Sequence, residues 1–240
     1  MNRILLSAVR DFVFPSACAC CGSAADDRRE SADGVCSDCA GLLVPERCPR
    51  CPRCGRPLVS EIGMCAECRL RDPPSFDGAI ALFRYGGLAR GLLRSYKFGS
   101  ARTAAPFVAR LFAEGLSLLG ETYGLGSGTF PALVPVPPRA GKLKEKGWDQ
   151  MDAIARLLSR NHGCAVARCL RRLPSRSQKS LDRAGRLENM RSVMVCAGKP
   201  PESAVLIDDV VTTGATLDAC ARALKGSGCV SVWALALCWD

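Results

Sequence analysis

The stretch AVLIDDVVTTGAT, residues 204 to 216, decides the fold. Ala204 to Ile207 form a continuous apolar run, the pattern of a strand buried on both faces in a parallel sheet. Asp208 and Asp209 stand at the C-terminal end of that run, where open α/β sheets gather their ligands. Thr212, Thr213, Gly214, Ala215 and Thr216 make a small, hydroxyl-rich turn, and Leu217, Cys220, Ala221 and Leu224 then recur at helical spacing until Gly226 caps the end. A strand, an acidic pair, a turn and a helix N-terminus together suit a sugar phosphate. Backbone N–H groups and the helix dipole hold the phosphate, Gly214 lets the chain approach closely, and the carboxylates accept hydrogen bonds from ribose hydroxyls.

Working outward, Leu133, Val134 and Val136 read as a second buried strand, left by a basic loop of Pro137, Pro138, Arg139, Lys142, Lys144 and Lys146. A helix is expected from about Trp148 to Arg160, with Met151, Ile154, Ala155 and Leu158 toward the core. Residues 171 to 191 are strongly basic with few apolar anchors. They suit either a flap that closes over substrate or a nucleic-acid-binding arm, and composition does not separate the two. The single histidine, His162, falls in the turn-like Asn161-His162-Gly163 and reads as a solvated loop residue.

Charge is distributed unevenly. Residues 1 to 72 carry 10 basic and 10 acidic side chains, and residues 73 to 240 carry 23 and 13, so the whole net charge of +10 belongs to the second part. Within it, residues 139 to 191 hold 14 basic and 5 acidic groups, a surface suited to polyphosphate or nucleic acid, or simply to solvent.

Ten of the 16 cysteines crowd between Cys18 and Cys68. Cys18/Cys21, Cys36/Cys39, Cys51/Cys54 and Cys65/Cys68 are C-x-x-C pairs, each able to form a knuckle that aims two thiolates at one metal. Four knuckles predict two structural Zn²⁺ ions in a reducing compartment. Cys48/Cys51 is also a C-x-x-C pair; Gly55 favours Cys51/Cys54, because the turn after that pair then accepts a positive φ. Sequential and crossed pairing of the knuckles both remain open. This segment has few large apolar residues, so metal must supply most of its folding energy, and four thiolates leave no open position for catalysis. Ile4, Leu5, Ala8, Val9, Phe12 and Val13 make one face of a short helix that Arg10 and Asp11 disqualify as a signal peptide. No apolar run is long enough to span a membrane, so a cytoplasmic location is expected. The expected division is a helix and double ribbon over 1–72 and an α/β domain over 73–240.

The 204–216 run resembles the phosphoribosyl pyrophosphate (PRPP) signature of type I phosphoribosyltransferases. The whole chain resembles the ComF family on its cysteine pairs, FDGAIALFRYGG (76–87), YKFG (96–99), LVPVPPR (133–139), GWDQ (147–150) and the spacing of Gln178, Leu181, Arg186 and Asn189. That resemblance implies a type I phosphoribosyltransferase-like, mainly parallel sheet flanked by helices, behind an N-terminal double zinc ribbon. It also implies Asp208 and Asp209 as the catalytic acidic pair and Thr212 to Thr216 around the 5′-phosphate. Pro137, Pro138 and Arg139 fall in the pyrophosphate loop, and Gln178, Arg186 and Asn189 in the flap. Mg²⁺ would enter with PRPP, and single-stranded DNA and a competence-machinery protein such as a DNA-uptake helicase become partners. Two readings of activity follow: a phosphoribosyltransferase with an unidentified acceptor, or a non-catalytic DNA-binding or adaptor protein whose PRPP pocket is regulatory. Thr212 stands where hypoxanthine-type enzymes carry an Asp base. Trp148 and Asp149 depart from the family's usual G-F-N-Q, which leaves the role of position 149 to be found.

Overall fold

In the computed structural model, residues 17–23, 33–97, 102–125, 130–139, 141, 148–173 and 193–240 are described. The N-terminal helix expected over 4–13, the loop lysines Lys142, Lys144 and Lys146, and the flap residues Gln178, Arg186 and Asn189 lie outside them. The strands are β1 (Gly78–Arg84), β2 (Ala132–Pro135), β3 (Leu170–Arg172), β4 (Met194–Cys196), β5 (Ser203–Val211) and β6 (Ser231–Trp239). The helices are α1 (Ser37–Leu42), α2 (Ala66–Arg69), α3 (Gly87–Lys97), α4 (Ala105–Tyr123), α5 (Gln150–His162) and α6 (Ala215–Lys225). Two compact units result: the described residues up to Val44 with Gly86–Val108, and Pro45–Tyr85 with Ala109–Asp240.

The second unit is organised by an all-parallel sheet in the order β1-β6-β5-β2. The middles of its central strands, Ala204–Ile207 and Val232–Cys238, are apolar because both faces are covered, and Leu206, Ile207, Leu235 and Leu237 are fully buried. Each such side chain contributes about 1.5–3 kcal/mol relative to exposure. Asp77 locks the start of the sheet, with its carboxylate accepting from Val232 N (2.7 Å) and pairing with Lys225 Nζ (2.6 Å). On α4, Gly115 brings the helix so close to the sheet that a Cβ there would meet Leu235 at 2.8 Å. Strands β3 and β4 form a separate antiparallel pair, packed on α6 through Leu170, Met194, Leu217 and Cys220.

Helix α5 begins two residues later than its periodicity suggests, and the reason is local. Asp149 is the N-cap: its carboxylate accepts from Met151 N (3.0 Å) and Asp152 N (3.1 Å). Gly163, with φ 67°, ends the helix in a left-handed cap. Met151, Ile154, Ala155 and Leu158 are buried, as the pattern requires.

The ribbon residues of the second unit are tied to the sheet. Arg50 Nη1 donates to Ala81 O (2.7 Å) and Gly55 O (3.1 Å), and Ala81 N donates to Gly55 O (3.2 Å). Tyr123 at the end of α4 donates from its hydroxyl to Ala79 O (3.1 Å) and accepts from Ala79 N (3.1 Å). Gly55 has φ 74°, and a Cβ there would lie 2.3 Å from Ala79 O. In the first unit the equivalent seating is on α3 and the 3-10 turn Arg102–Ala104. A Cβ on Gly91 would lie 2.2 Å from Cys20 O, and one on Gly34 would lie 2.8 Å from Thr103 Oγ1.

Gly55→Ala is therefore expected to combine a left-handed backbone cost of about 1–2 kcal/mol with a collision costing roughly 1–3 kcal/mol more. Gly63→Ala, at φ 76° with nothing within 4 Å, should show the backbone cost alone. Urea unfolding of both variants measures the difference, and equal costs would contradict the seating of the ribbon on β1.

Candidate functional site

Two four-cysteine clusters are present: Cys18, Cys21, Cys36 and Cys39, and Cys51, Cys54, Cys65 and Cys68, each with its thiol sulfurs within 4.8 Å of one another. Knuckles therefore pair in sequence order. In each cluster the first pair sits on a turn closed by a glycine in the left-handed region, Gly22 (φ 75°) or Gly55 (φ 74°), whose N–H donates to the carbonyl of Cys18 or Cys51 at 2.9 Å. The second pair opens a helix, with Cys36 or Cys65 as N-cap and Cys39 or Cys68 one turn later. Cys48 lies outside the cluster, its sulfur facing Glu46 O at 4.0 Å, so the choice of Cys51/Cys54 holds.

Tetrahedral zinc with bonds of ~2.3 Å sets its sulfurs about 3.8 Å apart. Cys21–Cys36 at 4.0 Å and Cys54–Cys65 at 3.7 Å match that spacing. Ionisation agrees with it. Burial opposes the Cys18 thiolate, but backbone N–H groups of Cys21, Cys36 and Cys20 outweigh it and bring the thiol to about 6. Cys51 falls to about 7 by the same balance, with N–H groups of Cys54, Cys65 and Arg53. Burial and neighbouring thiols push Cys39, Cys54 and Cys68 up, Cys68 to about 12. Four thiolates are compatible only around a cation, and both clusters are structural zinc sites with no place for water.

The second group of residues gathers at the end of β5. The sequence suggests a strand ending at Ile207, but β5 continues to Val211 because β6 is equally long and pairs Asp208 with Ala236 and Val211 with Trp239. Its other neighbour stops earlier: β2 ends with Pro135 opposite Ile207, and Val136 N closes the ladder on Ile207 O at 3.1 Å. The acidic pair thus stands just past the last β2 rung. Strand period turns Asp208 and Asp209 to opposite faces. Asp208 also accepts from Asp209 N at 2.8 Å.

Thr212 and Thr213 are exposed, and Gly214, Ala215 and Thr216 are half-buried. Gly214 is the N-cap of α6 with φ 77° and ψ −4°, and as a glycine it offers no capping side chain of its own. A Cβ on Gly214 would meet nothing within 4 Å, so the position demands glycine for its backbone and opens onto free space. Thr213 Oγ1 accepts from Ala215 N at 3.4 Å.

Pro137 and Pro138 leave β2 half-buried, and Arg139 is exposed. Arg172 at the end of β3 joins this group. Burial and the Arg139 charge push its guanidinium down, while Cys220 and Asp208 oppose them. Ala204 and Leu206 pack with Leu217, Cys220 and Leu224 of α6, and strand period puts Asp208 on that same face, where its charge, after burial, pushes the Cys220 thiol up. Sequence reasoning left Arg172 inside an undifferentiated basic segment; its place in the apolar-polar alternation after Leu170 was the available signal. His162 is exposed in the last turn of α5, beside a cavity of about 620 Å³ lined by Leu116, Gly120, Phe130, Pro131 and Cys164. That cavity adjoins the N-terminal end of β2, away from the carboxylates.

Comparison with known proteins gives the following. A family profile for the double zinc ribbon domain matches residues 9–69. Competence protein F of Haemophilus influenzae is 29% identical over 213 residues, 85% of this chain and 90% of that protein. The DNA utilization protein YhgH of Salmonella typhimurium is 28% identical over 209 residues (84% and 89%), and that of Escherichia coli K12 is 28% identical over 212 (84% and 89%).

Purified protein should bind about two zinc ions per chain, released on thiol modification and measured with a chromogenic chelator. Cys48→Ser should leave that number unchanged, and Cys65→Ser should reduce it to about one. Asp149→Ala should cost about 1 kcal/mol of stability and Asp149→Asn almost nothing, because Asn caps as well as Asp. Thermal unfolding reads both, and a large loss with Asn would assign the carboxylate a role beyond capping.

Proposed function

The chain is a homologue of competence protein F and the YhgH proteins with a double zinc ribbon, and from that premise we propose that its sheet binds PRPP or a closely related sugar phosphate in the service of DNA uptake. The observation that carries this reading is the end of β5, where two carboxylates and a glycine-led helix N-terminus adjoin one open strand edge. In this proposal the N–H groups of Ala215 and Thr216 and the hydroxyls of Thr212, Thr213 and Thr216 hold the 5′-phosphate. Asp208 and Asp209 accept the ribose hydroxyls, and Arg139 and Arg172 offer charge to the pyrophosphate. Mg²⁺, when bound, would neutralise part of the pyrophosphate charge and fits oxygen donors rather than the thiolate sites. Gln178, Arg186 and Asn189 stay candidates for a flap, and the division of the chain near residue 72 stays a proposal about independent folding.

Among the described residues no helix is long and apolar enough to cross a membrane. A cytoplasmic location is part of the proposal, since it keeps the zinc thiolates reduced. The basic excess of residues 139–191, together with the likeness to a competence protein and DNA utilization proteins, favours a second reading in which the same chain handles single-stranded DNA and the sugar phosphate acts as regulator. This reading expects sequence-tolerant binding that falls steeply with salt. Fluorescence anisotropy with a labelled oligonucleotide across a salt series tests it, and salt-independent binding contradicts an electrostatic origin.

Calorimetry with PRPP and Mg²⁺ tests the site. A hydrogen bond to a charged group is worth about 1.5–3 kcal/mol, but removing a carboxylate also removes repulsion from a polyanion. Asp209→Asn should therefore change affinity least, and Asp208→Ala combined with Asp209→Ala should weaken it more. Gly214→Val should weaken it further still, because a branched residue opposes φ 77°. Unchanged affinity in the double-Asp and glycine variants would mean that the motif is structural. Pyrophosphate release across a panel of bases separates turnover from binding.

A further inference from the structure

The chain leaving the second zinc site runs to the candidate sugar-phosphate turn and is tied to it at two points. Arg53 Nη1 donates to Cys68 O (2.6 Å) and Arg71 O (2.7 Å), which fixes the exit from the Cys65/Cys68 knuckle. Arg71 Nη2 pairs with Glu67 at 3.4 Å, and its Nη1 donates to Thr213 O at 3.3 Å. Four residues on, Ser75 N donates to Asp218 Oδ1 (2.7 Å), and Asp218 N closes the first turn of α6 on Gly214 O (2.9 Å).

The Thr213 contact sets the direction of a peptide. In a trans peptide the C=O and the following N–H point in opposite directions. With Thr213 O held by Arg71, the Gly214 N–H points away from the ribbon, toward the side on which a phosphate would sit. Gly214 is the residue at which the opposite orientation costs least, because glycine accepts either sign of φ. Without an external hold, the 213–214 peptide is free to turn its carbonyl toward an anion.

We propose that Arg71 is a positioning residue that couples the Cys51/Cys54/Cys65/Cys68 zinc site to the turn Thr212–Thr216, so that an intact ribbon presents the Gly214 N–H to the ligand phosphate. This rests on the sugar-phosphate reading of that turn. Reciprocity of coupled sites then requires that ligand binding raise the zinc affinity of this cluster, and not that of Cys18/Cys21/Cys36/Cys39.

The test uses the full, zinc-loaded chain and three measurements on wild type, Arg71→Ala and Arg71→Lys. Hydrogen exchange of residues 212–218 without ligand should speed up by about threefold to tenfold in Arg71→Ala, the size of one net hydrogen bond, and by less in Arg71→Lys. Titration with ribose 5-phosphate should weaken by a similar factor. At equilibrium with a competing chromogenic chelator, ribose 5-phosphate should raise retention of one of the two zinc ions in wild type, and of neither in Arg71→Ala. Wild-type exchange and wild-type affinity in a folded Arg71→Ala protein overturn the proposal. Should Arg71→Ala not fold, Arg71→Lys decides by the same measurements. Wild type that binds no sugar phosphate overturns the reading of the site and the coupling to it, while the exchange measurement still decides whether Arg71 holds the turn.

Discussion

Strand β5 is hydrogen-bonded in parallel on both edges, to β6 over Ser203–Val211 but to β2 only over Ala204–Ile207, and the geometry of the candidate site follows from that inequality. Had β2 been as long, Asp208 and Asp209 would be interior residues of a ladder, with costly carboxylates and no access to a ligand. Had β6 been as short as β2, nothing would hold the acidic pair in strand geometry, and the turn that follows would start four residues earlier. Parallel order also places every strand end, and the N-terminus of α6, on one side of the sheet. The apolar burial of Leu206 and Ile207 thus stabilises the element whose polar end is the site.

Zinc does for the ribbons what apolar burial does for the sheet. Among the described residues, the cluster around Cys51, Cys54, Cys65 and Cys68 has, apart from Cys54, only Leu58 and Met64 packed beside it as partly buried apolar side chains. No core of that size folds alone, and thiols in mutual contact resist ionisation until a cation is bound. What the metal cannot supply is orientation, and here glycine contributes. The absence of a Cβ at Gly55 lets a knuckle carbonyl reach Ala81 N. Metal closure and strand contact therefore act on the same few residues, and Arg53 and Arg71 lie at the exit from that arrangement.

Local patterns were legible in the sequence and long-range ones were not. Cysteine spacing specified both metal sites, and Gly55 resolved the ambiguous third knuckle because a positive φ leaves a mark in residue type. Gly214 was readable for the same reason. The length of β5 was hidden, since Asp-Asp ends an apolar run while the rungs that extend the strand are supplied by β6. The start of α5 falls two residues past its periodic pattern because Asp149, an Asp just before a helical run, is the N-cap. Arg71 and Thr213 are 142 residues apart, and no periodicity or motif connects them.

A proposed polyanion site that carries two carboxylates needs an electrostatic explanation, and the alternation of β5 offers one. Asp208 lies on the face of β5 whose Ala204 and Leu206 pack with Leu217, Cys220 and Leu224 of α6, and there it attracts the Arg172 guanidinium while Arg139 opposes it. In the proposed reading, that attraction would let Asp208 accept a hydroxyl with less repulsion of a neighbouring phosphate. In the proposed reading, phosphate charge is received elsewhere, at the backbone N–H groups that open α6 after Gly214. If the proposed site is correct, separating sugar-binding acids from phosphate-binding amides along one strand and one turn would allow both chemistries within about nine residues. Net charge would then be a poor guide to the site: the basic excess of the segment sets the long-range field, whereas discrimination of a sugar phosphate from a bare polyphosphate would rest with the two carboxylates that oppose that field.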